Sequence, residues 1–450
     1  MTKHKMDKYL NVKLFYFCVL FSMGVLFLFM YFGSVSEGIS GQPRSGSIPI
    51  DWVPSIWLYL LYSFSIICLL FVPSHPIIGV MVYLNLSYLI PIHTPAWIYT
   101  QWVGIRTGIA VFTFWGAIIN HPNKVISGFN LSSPIYRIFL FFLSWYAFSM
   151  LTAIIRREYI TPPLQFHPIL IVEAFILFTA MCWEKHSKKI LLLIATVMAA
   201  TLMFRICLIQ THFYRDGDIA SYLTMSLPLF FCSFLCVKKI RYKLLWIMLS
   251  VSDLFFILTI QNRGAIIGII MILIGFFITS KRKRISLILG LPALGGFFYW
   301  FLASGYGKRF VGIIYNLDNA LLNNSRILTW KAGLSMGLEN IVFGVGPGNF
   351  LFRIGEYQSK LALHSAHNIF VDTFAETGFL GFLLFSSLIL CVLFQTRKFI
   401  NIEECPASRA VFISIFAFIG IGSFLSHTMM VLPYILFAIP VIKSNKQLLS

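Results

Sequence analysis

Charge is the property this chain lacks. Of its 450 residues only 11% are Asp, Glu, Lys or Arg, against roughly a quarter in an ordinary soluble domain. Acidic residues are the scarcer kind, 16 against 35 basic. Disorder requires few apolar residues, and this chain is 58% hydrophobic with 46 Phe, so that class is excluded. Collagen-like and disulfide-scaffold compositions are missing as well. There are eight Cys. None forms a Cys-x-x-Cys pair, seven lie in or beside apolar runs, and Cys405 sits in a polar loop. We expect neither a disulfide nor a zinc site. Cys232 and Cys236 share a helix face and read as packing. A water-soluble globule of this size could not hide so much apolar surface, so the composition points to an integral membrane protein.

What is present is long apolar runs. A helix needs about 20 apolar residues to cross the hydrocarbon core. Candidate spans fall near 14–33, 55–73, 77–95, 97–119, 135–155, 168–183, 190–209, 219–237, 244–260, 263–279, 285–303, 369–395, 410–425 and 429–442. That is fourteen, or twelve if the closely spaced third and fourth and the two short last ones are not all crossings. The expected fold is therefore an all-α polytopic transmembrane bundle. No small-residue cleavage site follows the first apolar run, so it reads as a retained span.

The net charge of +19 would suggest nucleic acid in a soluble protein. Here it sorts onto one face. With the N-terminus (Lys3, Lys5, Lys8, Lys13) inside, the loops at Lys185–Lys189, Lys238–Lys243, Lys281–Arg284 and Arg397–Lys398 return to the same side, as does Lys443. That is the positive-inside pattern; only Arg156 and Arg157 oppose it. Both termini read as cytoplasmic, and no nucleic-acid partner is needed.

The other face carries one long connection. We divide the chain into an N-terminal transmembrane bundle over 1–303, a large periplasmic loop over 304–367 and C-terminal transmembrane helices over 368–450. A loop that long without disorder-type composition usually carries function. Ile327, Trp330, Leu334 and Leu338 recur at helical spacing, which predicts an amphipathic helix over Arg326–Leu338, capped by Asn324 or Ser325, lying on the membrane surface or roofing a cavity. Gly344, Gly346, Pro347 and Gly348 then force a turn.

Ionisable residues cluster on this face: Arg205, His212, Arg215, Asp216, Asp218, Arg263, Arg326, Lys331, His364, His367, Asp372 and Glu376. Each has a plain structural alternative. Arg263 can snorkel to headgroups, Arg326 can bind lipid phosphate, and Asp372 and Glu376 can neutralise an Arg or cap a helix. His364 and His367 stand at metal-ligand spacing without a third ligand, so no metal is expected. The glycine turn makes either an anion nest or a simple chain reversal. Intramembrane Glu173 and Asp253 read as proton-relay groups or as paired structural groups. As a set, several Arg with a His and carboxylates suit bidentate phosphate or pyrophosphate binding plus proton abstraction from a hydroxyl.

Five elements taken together resemble the O-antigen ligase and polymerase superfamily. They are Gln261-Asn262-Arg263-Gly264-Ala265; Asn324-Ser325-Arg326 through Trp330; Phe343-Gly344-Val345-Gly346-Pro347-Gly348-Asn349-Phe350; His367-Asn368; and Glu376-Thr377-Gly378-Phe379-Leu380-Gly381. The resemblance implies a metal-independent, cofactor-free glycosyltransferase of the GT-C type in the bacterial inner membrane. It would move a glycan from an undecaprenyl-pyrophosphate carrier to a hydroxyl on the periplasmic side. It assigns His367 as the catalytic base, with Glu376 orienting it or closing the helix top, and Arg263 and Arg326 as ligands of the donor pyrophosphate. Arg215 matches a further Arg of the family more loosely. The acceptor is either lipid A–core (ligase) or another glycan repeat (polymerase), with membrane lipid around the protein and room for a chain-length regulator. The rival reading is a lipid-linked oligosaccharide flippase, against which stand the long loop and the absence of any clear internal repeat.

Overall fold

The computed structural model describes residues 75–89, 96–120, 131–156, 167–183, 187–209, 217–260, 262–281, 325–361, 364–403, 406–424 and 431–442, with a few helical positions between 292 and 299. The expected spans at 14–33 and 55–73, and most of 285–303, lie outside these. The described residues are helical, with no strand among them. In chain order the helices are α1 (Pro76–Leu89), α2 (Ala96–Asn120), α3 (Pro134–Ile155), α4 (His167–Cys182), α5 (Ser187–Ile209), α6 (Gly217–Cys236), α7 (Ile240–Ile260) and α8 (Arg263–Thr279). The long connection supplies α9 (Ser325–Glu339) and α10 (Phe350–Tyr357). The chain then returns through α11 (Ile369–Glu403), α12 (Pro406–Gly422) and α13 (Val431–Leu436).

Two of these, α3 and α11, are long and apolar enough to cross a membrane. Only 28% and 39% of their most apolar windows are buried. That low burial separates them from the core helices of a soluble protein. Phe112 and Trp115 on α2, Phe141 on α3, Phe255 on α7 and Phe394 on α11 are exposed apolar side chains.

The helices start where the sequence supplies caps. Asn262 accepts from the amides of Gly264 and Ala265 at 2.8 and 3.3 Å, opening α8. Pro134 sits in the first turn of α3, where its missing N–H costs nothing. Asn368 accepts from Phe370 and Val371 at 2.9 and 3.2 Å, opening α11.

The main core is aromatic and aliphatic, with Tyr83, Phe139, Phe178, Phe230, Phe385 and Phe418 fully buried. Small residues let α8 and α12 approach closely. A Cβ at Gly275 would stand 3.3 Å from Ile413, and one at Gly268 would stand 2.7 Å from Ile421. This is the packing apolar helices use where water does not drive association. A second, smaller core, built on Met336, Val345, Phe350, Ile354, Val371 and Ala375, seats the long connection on the first turns of α11.

Glu173 is a paired structural group. Its carboxylate takes the Arg106 Nε–H at 2.8 Å and the hydroxyls of Tyr83 and Thr107, tying α1, α2 and α4 together. Asp253 lies fully buried, 2.8 Å from Ser226 of α6.

Candidate functional site

The site is organised by a break in α11. At Gly378 the backbone turns left-handed, with φ 71° and ψ −172°, a conformation only glycine adopts without strain. Breaking a helix orphans carbonyls that would otherwise pair four residues on. Each is taken by a group from elsewhere. The Ala375 and Glu376 carbonyls accept from the amides of Val345 and Gly346 at 2.9 and 3.0 Å. The Thr377 carbonyl accepts the Trp145 indole N–H at 2.8 Å. Ser149, one turn after Trp145 on α3, adds its hydroxyl to the Glu376 carbonyl at 3.1 Å. In return Phe379 donates to the Ile341 carbonyl at 2.8 Å.

The glycine-rich turn is the other half of this clamp. Gly344, Gly346 and Gly348 all have positive φ. At Gly344 a Cβ would fall 2.3 Å from the Glu376 backbone, and at Gly378 one would fall 2.3 Å from the Val342 carbonyl oxygen. Two amides of this turn are spent on the carbonyls of α11. The turn is thus a chain reversal that locks onto the helix break, and the anion-nest alternative loses those donors.

Glu376 belongs to the same clamp. It is 8% exposed, and its carboxyl faces the amide of Phe350 at 3.4 Å, where α10 begins. The resemblance offered it as orienting His367 or as closing the helix top; its contact here is with the start of α10.

His367 stands at the other end of the first α11 segment. Among the described residues it alone combines a side chain with positive φ, 51°. Such positions are uncommon and concentrate at functional sites. Its ring lies beside the Ser365 hydroxyl, 3.3 Å from Nε2 and 3.4 Å from Nδ1. The chain on either side is pinned. Asn368 caps α11, and Trp330 of α9 donates its indole N–H to the carbonyl of Ala366 at 2.9 Å. Trp330 also meets Phe424, just beyond α12, edge to face at 6.1 Å.

These contacts bring three helix starts together at one end of α12. Ile369, at the start of α11, is met by a Cβ placed on Gly422; Ile421 faces Gly268 near the start of α8. Phe424 meets Trp330, one turn after Arg326 in α9. The first residues of α8 and α9 carry Arg263 and Arg326, and His367-Asn368 immediately precede α11. The Arg326 side chain is half-buried. The Arg263 side chain and the whole of Arg215 lie outside the described residues. Below Arg263, an apolar cleft of about 490 Å³ runs between α6, α7 and α8, lined by Leu227, Phe231, Leu254, Leu258, Ile269 and Phe276.

The predicted amphipathic helix exists as α9, one residue longer at each end. Its packed face differs from the one the periodicity marked. Thr329, Ala332, Gly333, Met336 and Gly337 are buried, while Leu334 and Leu338 are 46% and 63% exposed. Among the described residues no three His, Cys, Asp or Glu side chains gather as metal ligands would. Trp145 and Ser149 had no local signal; their partners, Phe343, Glu376 and Thr377, lie roughly two hundred positions on.

A helical protein with spans suited to a membrane, a helix start bearing a left-handed His, and two further Arg-bearing helix starts beside it define the class. Residues 244–386 match the family model described as O-antigen ligase. That segment contains Arg263, Arg326, the glycine turn, His367 and Glu376, so the superfamily to which the motifs pointed, the O-antigen ligases and polymerases, is the one this segment matches. The chain is also similar to a teichuronic acid biosynthesis protein, TuaE, of Bacillus subtilis (strain 168), with 21% identity over 305 residues. The similarity covers 59% of this chain and 62% of that protein, so the chain spans about three fifths of its relative's length.

Proposed function

We propose that this protein transfers a glycan from an undecaprenyl-pyrophosphate carrier to an acceptor hydroxyl on the periplasmic side of the bacterial inner membrane, as an O-antigen-type polymerase or ligase. The observation that carries this reading is the meeting of the α8, α9 and α11 starts at one end of α12. A pyrophosphate placed there would face three helix N-termini and the two Arg they carry. The apolar cleft beside α8 suits the carrier's hydrocarbon tail.

In this reading His367 takes the proton from the acceptor hydroxyl while its oxygen attacks the anomeric carbon. The bond from that carbon to the pyrophosphate oxygen breaks, and the carrier leaves as the pyrophosphate. Displacement from the opposite face inverts the anomeric centre. Arg263 and Arg326, with Arg215 as a third candidate, offset the charge that grows on the leaving group. Pyrophosphate is already a competent leaving group, so neither a metal nor a nucleotide sugar is required. Glu376 keeps the clamp closed under the site. The bundle over 1–303, the loop over 304–367 and the helices over 368–450 form one multi-pass unit with both termini cytoplasmic. The acceptor is lipid A–core or a second carrier-linked repeat. The similarity to a teichuronic acid biosynthesis protein supports this reading.

The test is glycan profiling of a deletion strain complemented with wild type or His367→Ala, with surface polysaccharide and carrier-linked glycans analysed side by side. Loss of chain-length distribution with single repeats retained means polymerase. Long glycans accumulating on the carrier mean ligase. An unchanged profile with the variant would remove the transfer reading and favour the flippase.

A further inference from the structure

The exposed apolar side of α9 is not accounted for by the transfer site. Gly333 and Gly337 pack α9 against Val371 and Phe374 of α11, so α9 runs alongside the first turns of α11 and in the same direction. It ends at the turn Asn340–Phe343, level with the break at Gly378, where Phe379 donates to the Ile341 carbonyl. The chain then turns back at Gly344, and Val345 and Gly346 donate to the carbonyls of Ala375 and Glu376. The connection is thus a hairpin whose tip reaches partway down the side of α11.

The tip is apolar and uncovered. Leu338, Ile341 and Val342 are 63, 48 and 55% exposed. They continue directly into exposed side chains of the two candidate spans, Phe379, Leu380 and Leu383 on α11 and Phe148, Leu151 and Ile154 on α3. Lys331, Ser335 and Glu339 occupy the adjoining exposed flank of α9, so the helix surface is divided lengthwise into an apolar and a polar half.

The depth follows from α3. Arg137 and Arg156 mark its two ends and are both exposed. The stretch between them is about 28 Å long at helical rise, close to the thickness of a hydrocarbon core. Phe343 stacks on Trp145 at 5.4 Å and meets Phe148 edge-on at 5.4 Å. Phe148 and Trp145 lie about 12 and about 17 Å inside the Arg156 end of that span. The Arg156 guanidinium reaches back over the Phe343 ring at 5.8 Å, as a cation does at the headgroup level above an apolar layer. Non-helical backbone is tolerated at such depth only when protein satisfies it. The break and the tip satisfy each other's amides and carbonyls.

We infer that the Leu338–Phe343 tip is inserted into the leaflet on the His367 side of the membrane, with Leu334, Leu338, Ile341 and Val342 in contact with acyl chains. The occupant is lipid, because the patch is continuous with the outward faces of α3 and α11 and its polar flank begins one helix position away. The inference rests on α3 and α11 crossing a membrane and not on the transfer reaction, so its test needs no activity.

Wild-type protein is placed in bilayer nanodiscs containing phospholipid with a diazirine in the upper acyl chain, irradiated, and mapped by peptide mass spectrometry. Adducts within 334–342 are expected. In parallel, Val342→Cys and Lys331→Cys are treated with a membrane-impermeant maleimide and read peptide by peptide, which sets aside the native cysteines. The thiol at 342 should react slower by about an order of magnitude than the one at 331, because thiolate forms only in water. Absence of acyl-chain adducts in 334–342, or equal reaction at the two cysteines, overturns the inference. An unreactive thiol at 342 without acyl-chain adducts overturns it too, since protein rather than lipid would then cover the tip.

Discussion

The indole N–H of Trp330 donates to the carbonyl oxygen of Ala366 at 2.9 Å. Ala366 immediately precedes His367, whose backbone is left-handed, so this bond holds one side of the bend that sets the direction of the imidazole. Trp330→Phe keeps the ring against Phe424 and removes the donor. A buried carbonyl left unpaired costs about 1–3 kcal/mol. We expect transfer to fall about tenfold or more while the amount of folded protein in membranes changes little. Unchanged transfer would show that the bend holds without Trp330.

Gly378 and Gly348 both have positive φ, and their surroundings separate two costs. At Gly348 a Cβ meets nothing within 4 Å, whereas at Gly378 it would fall 2.3 Å from the Val342 oxygen. Gly348→Ala should therefore cost only the left-handed strain, about 1–2 kcal/mol. Gly378→Ala adds a backbone collision and should leave little folded protein. Thermal unfolding in detergent of the two variants checks this; equal melting temperatures would show that the break relaxes.

Glu376 lies against the amide of Phe350, and an amide oxygen can accept that bond as a carboxyl does. Glu376→Gln should retain most activity, and Glu376→Ala should lose about 1–3 kcal/mol of stability. Inactivity of Glu376→Gln in folded form would favour the orienting role toward His367 over the clamp.

The Arg106–Glu173 pair is buried, with side chains 6% and 1% exposed. Removing one partner leaves a buried charge and should cost about 3–5 kcal/mol. Arg106→Leu should unfold at a clearly lower temperature than wild type, and Arg106→Leu with Glu173→Leu should recover much of the loss. A double variant no better than the single one would assign the damage to lost packing.

Much of this was legible in the chain itself. The expected span at 263–279 coincides with α8, and that at 135–155 differs from α3 by one residue, because apolar length and caps are local properties. The amphipathic helix was legible for the same reason. Its packed face was not, since Gly333 and Gly337 carry no hydrophobic signal yet allow the closest approach to α11. The break at Gly378 was also hidden. One glycine in an apolar run costs a helix only about 1 kcal/mol, so Thr377-Gly378-Phe379 reads as continuous. What makes it break is the donor set from Trp145, Val345 and Gly346, which is non-local. The contact of Glu376 was hidden for the same reason: its partner arrives from the start of α10. Glu173 was legible as a group needing a partner, but nothing in the sequence marked Arg106, 67 positions away.

The most direct test of the central claim is transfer by the purified protein in nanodiscs, supplied with a polyprenyl-pyrophosphate-linked glycan repeat. Wild type should form longer glycan or acceptor-linked product with the anomeric configuration inverted, and release the polyprenyl pyrophosphate. His367→Ala should do neither, and Arg263→Lys should lose most activity if a planar, bidentate contact to pyrophosphate is made. Transfer by folded His367→Ala at the wild-type rate would contradict the assignment of the base, and movement of the substrate across the bilayer without transfer would contradict the enzyme reading itself.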